Sequence, residues 1–249
     1  MKSPRQRSQA LRTVPCVLAA MGLAVAVQAQ AATASRSESQ QATRATSHNG
    51  TEQSAQDRVN DAVQVVKDMQ RDPNVAQLLH RAEGVFIVPH YGKGGFIVGG
   101  QGGGGVLMVR HAEHWSDPAF YSIGGGSVGA QAGGEAGAIG MLLMTRKAVH
   151  KFENSTNTWS LNANAGLTVV TYSGKAQAET GKGDVILWSD TKGLYGGLTA
   201  SVTDITPNPK MDAAYYGRHA NAREILSGSL TNPSADALRR AAMTRVALR

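Results

Sequence analysis

The chain is nearly without cysteine, and its one example, Cys16, falls in a segment that reads as an export signal. Beyond residue 31 no thiol remains, which rules out a disulfide framework, a cysteine nucleophile and a cysteine-ligated metal there. Long hydrophobic runs are missing after that segment as well, so no transmembrane helix is expected. Proline is absent between Pro118 and Pro207, which suits internal strands that cannot lose a ladder donor. Excess charge is modest too. The whole chain carries 25 Lys and Arg against 18 Asp and Glu. The first 31 residues hold four of those cations and no acid, which leaves 21 against 18, a net +3. That is too little for electrostatic nucleic-acid binding. No basic stripe interleaves with Phe120, Tyr121, Tyr215 and Tyr216 to make them a base-stacking platform, so they are expected in the core and at its rim.

Residues 1–31 have the three parts of a secretory signal. Lys2, Arg5, Arg7 and Arg12 form a basic start, Val14 to Val27 is mostly apolar, and Ala29-Gln30-Ala31 supplies a small-x-small cleavage site. The expected destination is the periplasm or the exterior, with no membrane span after cleavage. Residues 32–56 are rich in Gln, Ser, Thr and Ala without apolar periodicity and read as a disordered leader.

From Asp57 the pattern is helical: Val59, Ala62, Val63, Val66 and Met69 form one apolar stripe. Asp72-Pro73 breaks it, and Val75, Leu78, Leu79 and Ala82 mark a short second helix ended by Gly84. From Gly84 to Val202 the chain reads as β, in short runs such as 85–88, 106–109, 167–172 and 185–188 separated by turn residues. Two further helices are expected, Asn221 to Leu226 and Ser234 to Leu248. The fold class is therefore α+β: a mainly antiparallel, glycine-rich, twisted or barrel-like sheet with N-terminal and C-terminal helices.

Several motifs invite a chemical reading. Gly100, Gly102 and Gly105 satisfy G-x-G-x-x-G, but the next residues are Val-Leu-Met-Val-Arg, a strand, and no acid lies near residue 125. A steric reading fits better: Gly100, Gly102 and Gly104 share one strand face, as do Gly125, Gly129, Gly133 and Gly137 in the next glycine-rich stretch, leaving room for a crossing helix or backbone. Gly125 to Gly129 fits the G-x-S-x-G of a hydrolase elbow around Ser127, with Asp and His219 downstream, yet no strand–helix alternation surrounds it. His111 and His114 flank Glu113, but on a strand they point to opposite faces, so no metal is expected.

The ordered motifs carry a resemblance. Residues 82–89, then 99–110, then Trp115, Pro118 and Phe120 look like the opening of a SYLF domain. The stretches 126–133 (with Gly129, Gln131 and Gly133), 191–197 (with Gly193 and Gly197) and 215–217 (with Tyr216 and Gly217) are similar to its later pieces, and Gly102 falls in its glycine-rich strand. The similarity runs over residues 57–230, with 231–249 as a basic C-terminal helix. It implies a non-enzymatic lipid-binding domain without cofactor or metal, in an exported bacterial member. The family's eukaryotic members bind phosphoinositides, and its fungal members bind actin. The implied partner is an anionic lipid or membrane surface, with an envelope or host protein as the alternative. Candidate head-group contacts are Arg239, Arg240 and Arg245 on the last helix, whose Leu238, Ala242 and Val246 share a side, and Arg110, Lys147 and Lys192 as a second group.

Overall fold

The computed structural model describes residues 50–95, 98–128, 135–161, 166–172, 183–190 and 204–243. All lie in the unit Asn49–Arg249; the unit Met1–His48, with the expected signal, is outside them. Helix α1 spans residues 50–69, so the leader expected through Gln56 gives way to helix seven residues early. Ala55 is the reason: it is fully buried and extends the apolar stripe by one turn. Helix α2 (Pro73–Arg81) starts where Asp72 accepts the Asn74 N–H at 2.8 Å and Pro73 occupies the first turn.

The sheet holds strands β1 (Gly84–Gly95), β2 (Val98–His111), β3 (His114–Trp115), β4 (Ala119–Val128), β5 (Glu135–Leu143), β6 (Trp159–Ser160), β7 (Val169–Thr171), β8 (Val185–Ser189) and β9 (Asp204–Pro207). Their order is β6-β9-β4-β2-β1-β5-β8-β7, with β3 paired to β2 off that path. Only β7 and β8 pair in parallel, so the sheet is mainly antiparallel and curls into a half-barrel. Gly125 and Gly137 belong to β4 and β5 respectively. The single face expected to run from Gly125 to Gly137 is thus divided between two strands.

Helices cover both faces of the sheet. Val85, Ile87, Val106 and Met108 pack with α1, α2 and the C-terminal helices, while Phe86, Val88, Leu107 and Val109 pack on the other side. Burial on both faces explains why these strands read as unbroken apolar runs instead of alternating ones. Pro89 sits in β1, a central strand, at a site where the register shifts against both β2 and β5. A bulge is where a central strand tolerates proline.

Three helices flank the later strands: α3 (Arg146–Glu153), α4 (Pro209–Tyr216) and α5 (Ala222–Leu226). A 3₁₀ turn, Pro233–Ala235, then leads into α6 (Asp236–Met243). Helix α3 corrects the reading of 84–202 as wholly β. Thr145 caps it by accepting the Ala148 N–H, and Ala148, Val149 and Phe152 bury one face. The steric reading of glycine holds at α1. The Arg58 guanidinium lies where a side chain at Gly104 would stand, and Met69 lies 2.8 Å from the position of a Cβ at Gly140.

Candidate functional site

Arg58 is set in the apolar face of α1, three residues after buried Ala55 and four before buried Ala62. Its guanidinium rests on Gly104 of β2. The nearby acids are engaged elsewhere: Asp57 accepts from Gln53 at 2.9 Å, and Asp61 pairs with His90 at 2.9 Å. Among the described residues no carboxylate pairs with Arg58. Burial lowers its pKa, and no neighbouring charge opposes that shift. The register places Gly104 opposite Ser122 of β4, and Ser122 opposite Thr206 of β9. Directly paired residues share a face, and the intervening Tyr121, Ile123 and Ile205 pack on the other side of the sheet. The α1 side of this corner is therefore glycine and hydroxyl, and Asn208 donates to Ser122 at 3.5 Å. A desolvated guanidinium beside hydroxyl donors suits an oxyanion.

Four of the six cations anticipated from sequence lie among the described residues. Arg110 closes the end of α2, donating to Ala82 O at 2.9 Å and Leu79 O at 2.8 Å, while stacking 4.3 Å above the ring of buried Trp115. Arg239 donates to fully buried Asp117 and to Asp236. Burial pushes the Asp117 carboxyl up, and the Asn232 N–H and Arg239 hold it partly down. Arg239 is thus a counter-ion of the scaffold. Leu238 and Ala242, expected as an interfacial face, are core residues instead, and Val246 of that face lies outside the described residues. Arg240 is 73% exposed and lies 3.8 Å from Asp236. Lys147 is 62% exposed, donates to Gly166 O and lies 4.0 Å from Asp184. Arg245 and Lys192 lie outside the described residues.

The motif residues have structural work. A Cβ at Gly102 would meet Ile123 O at 2.7 Å. Pro118 O accepts from the Tyr216 hydroxyl at 2.8 Å, and Gly217 ends α4 at φ 66°, the left-handed cap. Gly129, Gln131, Gly133, Gly193 and Gly197 lie outside the described residues. Ser127 is paired with Gly99 within β4, not on the strand-to-helix turn that a nucleophile elbow requires. His111 and His114 are paired across a tight turn, with ring centroids 5.7 Å apart. The expectation of opposite faces fails because the strand reverses at Ala112, where φ is 49°. Among the described residues no group of three or more His, Cys, Asp or Glu is placed to hold a metal. None of the described helices is long and apolar enough to cross a membrane.

The described part of the chain is an α+β sheet covered by helices, and over its second half the sequence is similar to the SYLF type of domain. Residues 124–244 match the family described as "Ysc84: Las17-binding protein actin regulator". The description names binding partners and no reaction. LAS seventeen-binding protein 3 of Saccharomyces cerevisiae is 30% identical over 125 residues, 49% of this chain and 27% of that protein. Protein YSC84 of the same yeast is 29% identical over 131 residues, 51% of this chain and 28% of its own. An SH3 domain-containing protein of Schizosaccharomyces pombe is 27% identical over 128 residues, covering 49% and 29%. The chain thus spans less than a third of the length of these relatives. No solved structure matches it.

Proposed function

We propose that this chain is a non-catalytic binding domain that recognises an anionic phospholipid head group, with Arg58 holding the phosphate. The observation that carries this reading is the half-buried Arg58 guanidinium, which has no carboxylate partner among the described residues. A cation kept desolvated without a counter-ion gains most from an incoming anion. Ser122 supplies a hydroxyl on the same face, where the Thr206 hydroxyl shares a hydrogen bond with Thr158 at 2.8 Å. Arg240 and Lys147 are exposed cations, and Arg245 and Lys192 add to the charge of the sequence. Met243 is the one large hydrophobic side chain exposed among the described residues, so association is electrostatic and peripheral. The export signal read at residues 1–31 supports an envelope or extracellular surface as its place of action.

The test is co-sedimentation of residues 32–249 with phosphatidylcholine vesicles and with vesicles containing phosphatidylglycerol or cardiolipin. Binding should require the anionic lipid, weaken between low and physiological salt, and fall several-fold in Arg58→Gln. Equal binding of Arg58→Gln and the parent would overturn the assignment.

A second reading, a protein-interaction module, draws on a different feature. A cleft of about 550 Å³ between α1 and the β1 bulge is lined by Asp61, Asp68 and Asp190 with His90. Its acidity suits a basic protein surface and repels anionic lipid. The relatives' printed descriptions as binding proteins of Las17 and actin regulators support this reading. Capture of a basic protein with no vesicle binding would favour it.

A further inference from the structure

A second cavity, of about 410 Å³, opens where the end of α3, the turn into α4 and the start of α5 meet. Its volume is within the roughly 300–1,000 Å³ range of ligand pockets. Asp212 lines it from the first turn of α4, although the residue as a whole is only 1% exposed. One carboxyl oxygen accepts the Phe120 N–H at 2.9 Å. The other has no hydrogen-bond partner among the described residues. That oxygen is not among the fully buried unpartnered atoms, so it is reached from the cavity and is open to a donor that enters there. Glu153 adds a second carboxylate to the wall, with one oxygen bonded to His150 at 2.9 Å. Among the described residues Arg223 is the one cation lining the space, and its guanidinium donates to the Asn154 side-chain oxygen, not to either carboxyl.

We propose that this cavity binds a cationic organic group, the ammonium or guanidinium of a lysine- or arginine-like ligand, with the free oxygen of Asp212 as its terminal acceptor. Such a group satisfies that oxygen and brings a counter-charge where no described side chain pairs with it. Glu153 receives the remaining donors, and the proline rings of Pro207 and Pro209 line the passage of an aliphatic stem. The site is separate from Arg58 and takes the opposite charge, so its success or failure leaves the head-group reading untouched.

The charged and titratable groups around Asp212 are Tyr121 from β4, Glu153 from α3, Tyr216 from α4 itself and Arg223 from α5. Burial lifts the Asp212 carboxyl to about 7. A proton therefore competes with the ligand below neutrality. Binding is expected to tighten on the order of tenfold from pH 6 to pH 8.

The experiment titrates isotopically labelled protein with N-acetyl-arginine amide, N-acetyl-lysine amide, spermidine and the neutral N-acetyl-citrulline amide. It follows the Phe120, Asp212 and Arg223 backbone amides at pH 6 and pH 8. The arginine or lysine probe should shift these amides, more tightly at pH 8, while the citrulline probe binds at least tenfold more weakly. Spermidine binding above both amino-acid probes would keep the site and assign it to free polyamines. Asp212→Asn, which retains an acceptor for Phe120, should lose at least tenfold in affinity, and Glu153→Gln a smaller factor. Equal binding of citrulline and arginine probes, an unchanged titration in a folded Asp212→Asn, or no shift at these amides would each overturn the proposal. The citrulline and pH comparisons stand even if Asp212→Asn fails to fold.

Discussion

Replacing Asp212 by asparagine should stabilise the protein relative to the parent increasingly as pH rises from 4.5 to about 7, with the gain levelling off above that. The carboxyl rises from its ordinary 3.8 to about 7 because burial penalises the ionised form, and the Phe120 N–H only partly offsets it. Between these two values the unfolded chain is ionised while the folded one still holds the proton. The unfolded state binds fewer protons, so the contribution of this group to stability falls as pH rises through this window and is gone above the folded value. A displacement of about three pH units at 1.36 kcal/mol each corresponds to about 4 kcal/mol at most. Asparagine does not titrate and does not follow this fall. Urea unfolding of both proteins at pH 4.5, 6, 7 and 8 isolates the effect, since every other titrating group cancels in the difference. The Asp212→Asn variant should gain at least about 2 kcal/mol on the parent between pH 4.5 and pH 8. A difference that stays constant across these pH values would refute the reasoning and place Asp212 in contact with water.

Two further outcomes rest on separate features. Gly105→Ala sets a Cβ 2.6 Å from Ile87 O and 2.6 Å from the Phe86 ring. It should cost about 1–3 kcal/mol of overpacking in thermal or urea unfolding, and neutral behaviour would show that β1 and β2 move apart freely. Arg239→Ala leaves the fully buried Asp117 without its cation and should cost about 3 kcal/mol. If that variant instead lost vesicle binding at unchanged stability, Arg239 would be a head-group contact and not a scaffold counter-ion.

The sequence made some features plain and hid others for identifiable reasons. Val59, Ala62, Val66 and Met69 announce α1 because helical periodicity is local, and Asp72-Pro73 announces the start of α2 in the same way. The stretch 141–153 is harder, since Met141, Leu142 and Leu143 close a strand just before Arg146 opens α3. Only the Thr145 cap and the spacing of Val149 and Phe152 mark the change. Arg58 has a legible signal, its place three residues after Ala55 and four before Ala62, but Asp57 and Asp61 flank it as apparent counter-ions. Nothing in the sequence says that Asp57 and Asp61 turn to Gln53 and His90.

What the sequence determined by itself is the set of short-range patterns: apolar stripes, strand runs, caps, the glycine-rich strand and the ordered motifs of the SYLF family. Each depends on neighbours within a few residues, so composition and spacing record it. Which charges are free was decided only by tertiary structure. Arg239 meets Asp117 across 122 positions, Asp212 meets Phe120 across 92, and Arg58 reaches Gly104 on a strand far along the chain. A charge's energy depends on its burial and its partner, and both are properties of the folded chain.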